Sequence, residues 1–329
     1  MIEIDFLAVE SEDGPGSKSG DAIAVRYLPN GESRLRVVVV DGGYSAVGNR
    51  LVRHVNDRYL TDRVDLVVST HPDADHINGL IEVVESLEVT ELMLHLPWEH
   101  HGDVDEYSNL EKIEALYAAA EANGTAVTEP FAGIERYNGT LRVLGPSQTY
   151  YQELLAEGVA ANVAENTLRA SADVFGTLDV KSELSEDALD DTDDTSSRNN
   201  SSVILSIEAA DEFHIFTGDA GITALDYAAD EFERALGANR PDQVEFFQVP
   251  HHGSRHNLGP SVLDRWFPTG SAGTTAFISS ALADEKHPGV AVLAELRNRG
   301  FRIYATEGKN LLHSHDAQQR SEYSEASPA

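Results

Sequence analysis

Residues 2–9 alternate apolar and polar side chains, and residues 22–27 and 35–40 form two more apolar runs, the second dense in valine. Short runs of this kind between polar turns predict an opening β-meander. A polar, glycine-rich connection over residues 11–20 carries Lys18, and Val40-Asp41-Gly42-Gly43 ends the third run with a carboxylate in a tight turn. The pattern becomes helical over 46–59, strand-like over 64–68 and helical again over 80–87. Further along, strands are expected at 91–96, 141–144, 203–208, 213–217, 244–249, 275–279 and 301–306. Helices are expected at 109–122, 147–172, from 221 to about 236, and at 288–299. Strands followed by alternating strand and helix, twice over, predict an α/β protein. Its two sheets would pack face to face with helices outside, a four-layer αββα sandwich over residues 1–315 with a polar, frayed tail at 316–329.

Composition narrows the chemistry. The chain has 329 residues, 41% of them apolar, enough for a sizeable core, and no cysteine. Disulfides and thiolate zinc sites are thereby excluded, and any metal must be held by His, Asp or Glu. No apolar run approaches the roughly 20 residues that span a bilayer, so a soluble, cytoplasmic protein without a membrane partner is expected. The net charge of −32 describes a solvated acidic surface. It opposes broad nucleic-acid binding, which depends on Lys and Arg neutralising phosphates. A polyanionic substrate would need metal ions and a few local basic groups.

The densest chemistry is Thr70-His71-Pro72-Asp73-Ala74-Asp75-His76-Ile77-Asn78-Gly79, between the strand at 64–68 and the helix at 80–87. Two imidazoles and two carboxylates at one strand-to-helix junction aim into one cleft, the pattern of a metal site. Polar groups recur after other apolar strands: Asp41, then Gly218-Asp219-Ala220-Gly221, then Pro250-His251-His252-Gly253-Ser254. Strand ends at one edge of a sheet converge. Six or seven N and O donors suit two divalent cations, with a carboxylate such as Asp219 bridging them. His100 and His101, near Asp103, are either further ligands or part of a substrate lid.

In this pattern the chain resembles a metallo-β-lactamase-fold hydrolase, with His71-Pro72-Asp73-Ala74-Asp75-His76 as its His-x-Asp-x-Asp-His signature. More narrowly it resembles the soluble nuclease-like domain of competence DNA-uptake (ComEC-type) proteins. The further matching pieces are Gly20-Asp21-Ala22-Ile23, Val40-Asp41-Gly42-Gly43, Asn200-Ser201-Ser202-Val203, Thr217-Gly218-Asp219, His251-His252-Gly253-Ser254 and His287-Pro288. The resemblance implies that His71 and Asp73 hold one metal, that Asp75, His76 and His251 hold the other, and that Asp219 bridges. Asp41 would stand behind a ligand imidazole and orient it. Two departures matter. Asp73 stands where a His is commoner, and no His lies between Phe175 and Asn200, so Asn200 is left to fill part of that place. A harder, less complete first site implies weaker binding and tolerance of Mn²⁺ as well as Zn²⁺.

Two cations would supply a hydroxide near neutral pH. Asp75, His252 and His287 are the catalytic candidates, the histidines to protonate a leaving oxygen or hold a phosphate oxygen. Alternatively, His252 only braces His251, and His287 only begins a helix with Pro288. Ser254, Asn200 and Lys18 are the candidate substrate-binding residues. The expected activity is a metal-dependent phosphodiesterase or nuclease, DNA favoured. The alternative is a hydrolase of a small ester, lactone or cyclic nucleotide. The complete ligand set argues against a silent binding module, and a redox role would need a Glu-containing ligand pattern that is absent. The run at 179–195 is strongly acidic, with Lys181 its single basic residue. It is read either as a solvated loop or as a tethered polyanion that competes with substrate until a partner protein or protease displaces it.

Overall fold

The computed structural model of the chain describes residues 1–9, 18–105, 107–172, 188–237, 243–268, 270–271 and 273–317. The opening meander is β1 (Ile2–Phe6), β2 (Ala22–Tyr27) and β3 (Arg36–Gly42). Strands and helices then alternate: α1 (Ser45–Arg58), β4 (Arg63–Val64), β5 (Leu66–Val68), α2 (Ala74–Ser86), β6 (Glu88–Val89), β7 (Glu91–Met93), α3 (Leu110–Asn123) and β8 (Ala126–Thr128). The second half repeats this order. It runs through β9 (Glu135–Arg136), β10 (Leu141–Gly145), α4 (Gln148–Ala172), α5 (Ser197–Asn200), β11 (Ile204–Ala209), β12 (Glu212–Phe216) and α6 (Ile222–Leu236). It closes with β13 (Val244–Gln248), α7 (Pro260–Trp266), β14 (Thr275–Ile278), α8 (Val290–Asn298), β15 (Arg302–Ala305) and β16 (Leu311–His315).

Two seven-stranded sheets result, ordered β16-β1-β2-β3-β5-β7-β8 and β15-β14-β13-β12-β11-β10-β9. In each, antiparallel pairing gives way to parallel: from β3 to β8 in the first sheet and from β12 to β15 in the second. The layer order follows from the alternation of side chains along a strand. Val38 and Val40 face the second sheet in a core with Phe6, Phe216, Phe246 and Phe277. Val37 and Val39 point the other way, onto a core with Leu51, Val55, Leu80 and Leu116 from α1, α2 and α3. On the far side Phe213, Ile215 and Phe247 pack against Leu225 and Phe232 of α6 and Leu263 and Trp266 of α7. The sandwich is therefore α/β/β/α, as the alternation predicts.

The structure adds β16, which pairs antiparallel with β1 and covers that edge. Its histidines hide the alternation from a sequence reading. Of the tail expected at 316–329, residues 318–329 lie outside the described residues, as do 179–187 of the acidic run. Among the described residues no helix is long and apolar enough to cross a membrane.

Candidate metal centre

The C-terminal ends of β3, β5, β12 and β13 open onto one edge of the sandwich, and each contributes to a single cluster. Asp41 sits near the end of β3, His71 and Asp73 follow β5, and Asp75 and His76 lie in the first turn of α2. Asp219 follows β12, and His251 and His252 follow β13. Asp41, His251 and His252 adopt left-handed backbone, with φ of 55°, 47° and 56°. For residues with a Cβ this costs about 1–3 kcal/mol each and persists only where the surroundings enforce it. The bend at 251–252 sends two adjacent imidazoles to different parts of the cluster.

Asp219 stands at the middle. Its Oδ1 lies 3.4 Å from His76 Nε2 and 4.0 Å from His252 Nε2, and its Oδ2 lies 3.6 Å from both His71 Nε2 and His251 Nε2. Asp75 Oδ2 is 3.6 Å from His252 Nε2 and 3.9 Å from His76 Nε2. Asp73 Oδ2 is 3.9 Å from His71 Nε2. The donors thus lie on two sides of Asp219: Asp75, His76 and His252 form a mutually close set at one side, and His71, with Asp73 beside it, and His251 each approach Oδ2 at the other. A cation about 2.0–2.2 Å from each of four donors in a tetrahedron would separate them by roughly 3.3–3.6 Å; Asp219 stands 3.4–4.0 Å from the four imidazoles around it.

Hydrogen bonding behind the rings leaves Nε2 facing forward. His76 Nδ1 lies 2.8 Å from Asp41 Oδ2, and Asp41 in turn accepts from the Thr70 N–H at 2.8 Å and the Thr70 hydroxyl at 2.6 Å. His71 Nδ1 is 3.0 Å from Thr70 Oγ1, and His251 Nδ1 is 2.8 Å from Asn257 Oδ1. Behind His252, Asp21 Oδ1 is 3.9 Å from Nδ1, and Asp21 accepts from Gln248 Nε2 at 2.7 Å. Among the described residues the buried Nε2 atoms of His71, His76 and His252 and Oδ1 of Asp219 have no hydrogen-bond partner, and neither has His252 Nδ1, from which Asp21 is too distant. Orphaned donors and acceptors that converge in this way fit divalent cations.

The electrostatics agree with that fit. Burial would neutralise Asp219, yet His76, His251 and His252 hold its carboxyl well below the usual range. Asp75 is likewise pulled to about 2 against its burial, by His252 and His76. His76 rises well above its ordinary value because Asp219 and Asp41 outweigh burial. Burial lifts Asp21, partly offset by His76 and His252. A field that holds buried imidazolium also favours a cation of higher charge.

The resemblance placed His251 with Asp75 and His76; in the structure His252 lies 3.6 Å from Asp75, and His251 approaches the same Asp219 oxygen as His71. The exchange needs the left-handed bend, which residue types alone do not disclose. Asn200 does not reach the cluster: its Oδ1 accepts from the Gly221 N–H at 3.0 Å. Asn199 instead lies beside His251, with Nδ2 3.1 Å from Nδ1. The Ser254 hydroxyl accepts from the His256 N–H at 3.2 Å, a local turn contact. His100 pairs with Glu129 at 2.9 Å, and His101 Nδ1 lies 2.5 Å from Asp103 O, so neither joins the cluster. A cleft of about 660 Å³ opens over the cluster, lined by Lys18, Lys286, Asp75, His251, His252 and His287 among others. His287 stacks on His251 with ring centres 5.6 Å apart, and its Nδ1 is 3.2 Å from Asp284 Oδ2.

Asp21, Asn257, Asp284 and Arg198, whose Nε donates to Asp73 Oδ1 at 2.9 Å, were not anticipated as site residues. Only Asp21 carried a usable signal, a Gly-Asp pair at a strand start. Gly20 is required there, since a Cβ would meet Asp75 O at 2.5 Å.

Curated proteins give no match to the chain. Among solved structures, a new diphosphatase from the PhnP family is 10% identical over 95% of this chain and 98% of its own, with a TM-score of 0.40. A mutant of the CmlA β-hydroxylase is 10% identical over 94% of this chain and 53% of its own, with a TM-score of 0.45. A metallo-β-lactamase from Cronobacter sakazakii with a mutated HARLDQ motif is 10% identical over 70% and 73%, with a TM-score of 0.33. The profile of the Metallo-beta-lactamase superfamily matches residues 32–268, more than half of the chain. That span holds β3, β5, β12 and β13 with every strand end that feeds the cluster, and the chain belongs to the metallo-β-lactamase superfamily.

Proposed function

We propose that the chain is a metal-dependent phosphodiesterase acting on nucleic acid, DNA in particular. The observation that carries this reading is where the lysines lie. The chain has five, Lys18, Lys112, Lys181, Lys286 and Lys309, and two of them, Lys18 and Lys286, line the cleft over the cluster. Asp75, Asp284 and Glu285 line the same cleft, so it would turn attractive to an anionic substrate once divalent cations offset those carboxylates, with Lys18 and Lys286 adding local positive charge on a surface of net charge −32. The resemblance to the nuclease-like domain of competence proteins supports the same reading. Two divalent cations, Zn²⁺ or Mn²⁺, would supply a hydroxide nucleophile and Lewis acidity toward a phosphoryl oxygen.

The chain's own residues do the rest. His71, Asp73 and His251 would hold one cation and Asp75, His76 and His252 the other, with the Asp219 carboxylate between the two sets. Asp41 keeps the His76 ring turned. With Nε2 of His252 directed at a cation, His287 is the residue left to protonate the leaving oxygen. Asp284 accepts from its Nδ1, so Nε2 is the nitrogen that exchanges a proton, and it donates from the imidazolium, a form that burial and the neighbouring His252 disfavour. The Lys18 and Lys286 ammonium groups bind non-bridging phosphate oxygens.

A second reading rests on the size of the cleft. About 660 Å³ lies within the roughly 300–1,000 Å³ of small-molecule pockets. The substrate would then be a small ester, lactone or cyclic nucleotide. Incubation with single- and double-stranded DNA, RNA, a small phosphodiester and a lactone, each with Mn²⁺ or Zn²⁺, separates the two. Cleavage of nucleic acid that Asp219→Ala abolishes supports the first reading; intact nucleic acid beside a cleaved small substrate supports the second. Lys18→Ala and Lys286→Ala are expected to raise KM for the anionic substrate about tenfold each, with kcat nearly unchanged.

A further inference from the structure

The last part of the acidic run, residues 190–195, lies across the starts of two helices. Asp193 Oδ1 and Oδ2 accept from the Ile222 and Thr223 N–H groups at 3.2 and 3.0 Å, at the head of α6. Asp191 Oδ1 accepts from the Ser261 N–H at 2.9 Å, in the first turn of α7. Each carboxylate occupies space that a glycine leaves. A Cβ on Gly221 would stand 2.4 Å from Asp193 Oδ1, and one on Gly259 would stand 2.4 Å from Asp191 Oδ1. Asp191 and Asp193 are therefore engaged by main-chain N–H groups rather than turned toward the metal ligands, where a competing polyanion would place them.

The segment ends on Thr195. Its hydroxyl accepts from Nδ2 of both Asn257 and Asn199, at 3.0 Å each. Asn257 Nδ2 also donates to the Asp219 carbonyl at 2.8 Å. With its NH₂ group committed to two acceptors, the Asn257 amide must present Oδ1 to His251 Nδ1. Of the two amides at Nδ1, the Asn257 oxygen is the nearer, at 2.8 Å against 3.1 Å for Asn199 Nδ2, which favours the imidazole proton on Nδ1 and leaves Nε2, 3.6 Å from Asp219 Oδ2, as the ligating nitrogen.

We infer that Thr195 is a positioning residue for His251, and that residues 190–195 form a clasp holding the His71–Asp73–His251 half of the centre. The other half is backed from elsewhere in the chain, by Asp41 at 2.8 Å from His76 Nδ1 and by the Asp21 carboxylate at 3.9 Å from His252 Nδ1, and no residue of 190–195 is bonded to either ring. Release of the clasp therefore weakens metal binding at one position, where displacement of an inhibitory polyanion would raise activity.

Zn²⁺ binding to the full chain, measured by competition with a chromophoric chelator, tests this in two backgrounds. Asp75→Ala leaves the His71 half intact, and Asp73→Ala leaves the His252 half intact. Thr195→Val is expected to weaken Zn²⁺ binding about tenfold in the Asp75→Ala background, the loss typical of removing a partner behind a ligand. In the Asp73→Ala background it is expected to change binding by less than about twofold, and Thr195→Ser is expected to restore the loss. If Thr195→Val does not fold, Asp193→Ala loosens the clasp from its other end and is expected to give the same one-sided loss. Equal loss in both backgrounds, or no loss in either, overturns the clasp. A wild-type chain that binds no Zn²⁺ overturns the metal centre and the clasp with it.

Discussion

Burial pushes the interior histidines toward the neutral form, and the groups facing each ring decide whether they stay there. At the candidate metal centre Asp219, Asp75 and Asp21 outweigh burial and lift His252 to about 9. His95 has no carboxylate against it: burial and the charge of His100 lower it to about 3, and the ring stacks on Tyr151 with centres 4.2 Å apart. Neither nitrogen of His95 has a hydrogen-bond partner among the described residues. His214, in the core between the sheets, falls to about 4, chiefly through burial. Both rings stay neutral in the folded protein at pH values where the unfolded chain protonates them. Above about pH 6.5 neither state binds the proton and stability is complete. As pH falls through 6.5 only the unfolded chain gains protons, so stability drops, levelling off near the folded-state values. Each ring is expected to withdraw about 2 kcal/mol by about pH 5. Denaturant unfolding at neutral and mildly acidic pH checks this: His95→Leu and His214→Leu should each shrink the acid loss by that amount. A loss of wild-type size in both variants would rule the mechanism out.

The element that sets the site is α2, which brings Asp75 and His76 to Asp41. It approaches β3 and α1 through glycines at 42, 48 and 79. A Cβ on Gly79 would lie 2.0 Å from Gly42 O, and one on Gly48 would lie 2.4 Å from Gly79 O. The Gly79 N–H donates to Gly43 O at 2.9 Å, a contact available only at this close approach. Gly79→Ala must push α2 outward and stretch the 2.8 Å contact between His76 and Asp41. A loss of about 1–3 kcal/mol in stability is expected, together with weaker metal binding. Gly102→Ala, where a Cβ meets nothing within 4 Å, serves as the control. Thermal unfolding and metal titration of the two variants would falsify the glycine contact if they behaved alike.

Across the whole molecule the net charge of −32 makes the folded surface repel itself. Raising salt from about 0.1 M to about 1 M shortens the screening length from about 10 Å to about 3 Å. The melting temperature is therefore expected to rise across that range; a melting temperature that is flat or falls would show that surface ion pairs such as Arg265 with Asp226 dominate instead. Much of the architecture could be read from the chain, because alternation along Val37 to Val40 and the recurrence of strand and helix are local consequences of which faces must be buried. The types of ligand were legible for the same reason: they sit in short stretches at the ends of apolar strands. β16 was not, since two histidines interrupt its pattern and pairing with β1, at the far end of the chain, decides it. Nor could sequence tell His251 from His252. They are adjacent and chemically identical, and they part only because a left-handed bend sends one ring to each oxygen of Asp219. Asn257 and Thr195 then fix one ring, and Asp21, from the opposite end of the chain, stands behind the other. The sequence by itself determined the layers and the candidate donors; how those donors divide between the two oxygens of Asp219 required tertiary packing, because it depends on partners remote in the chain.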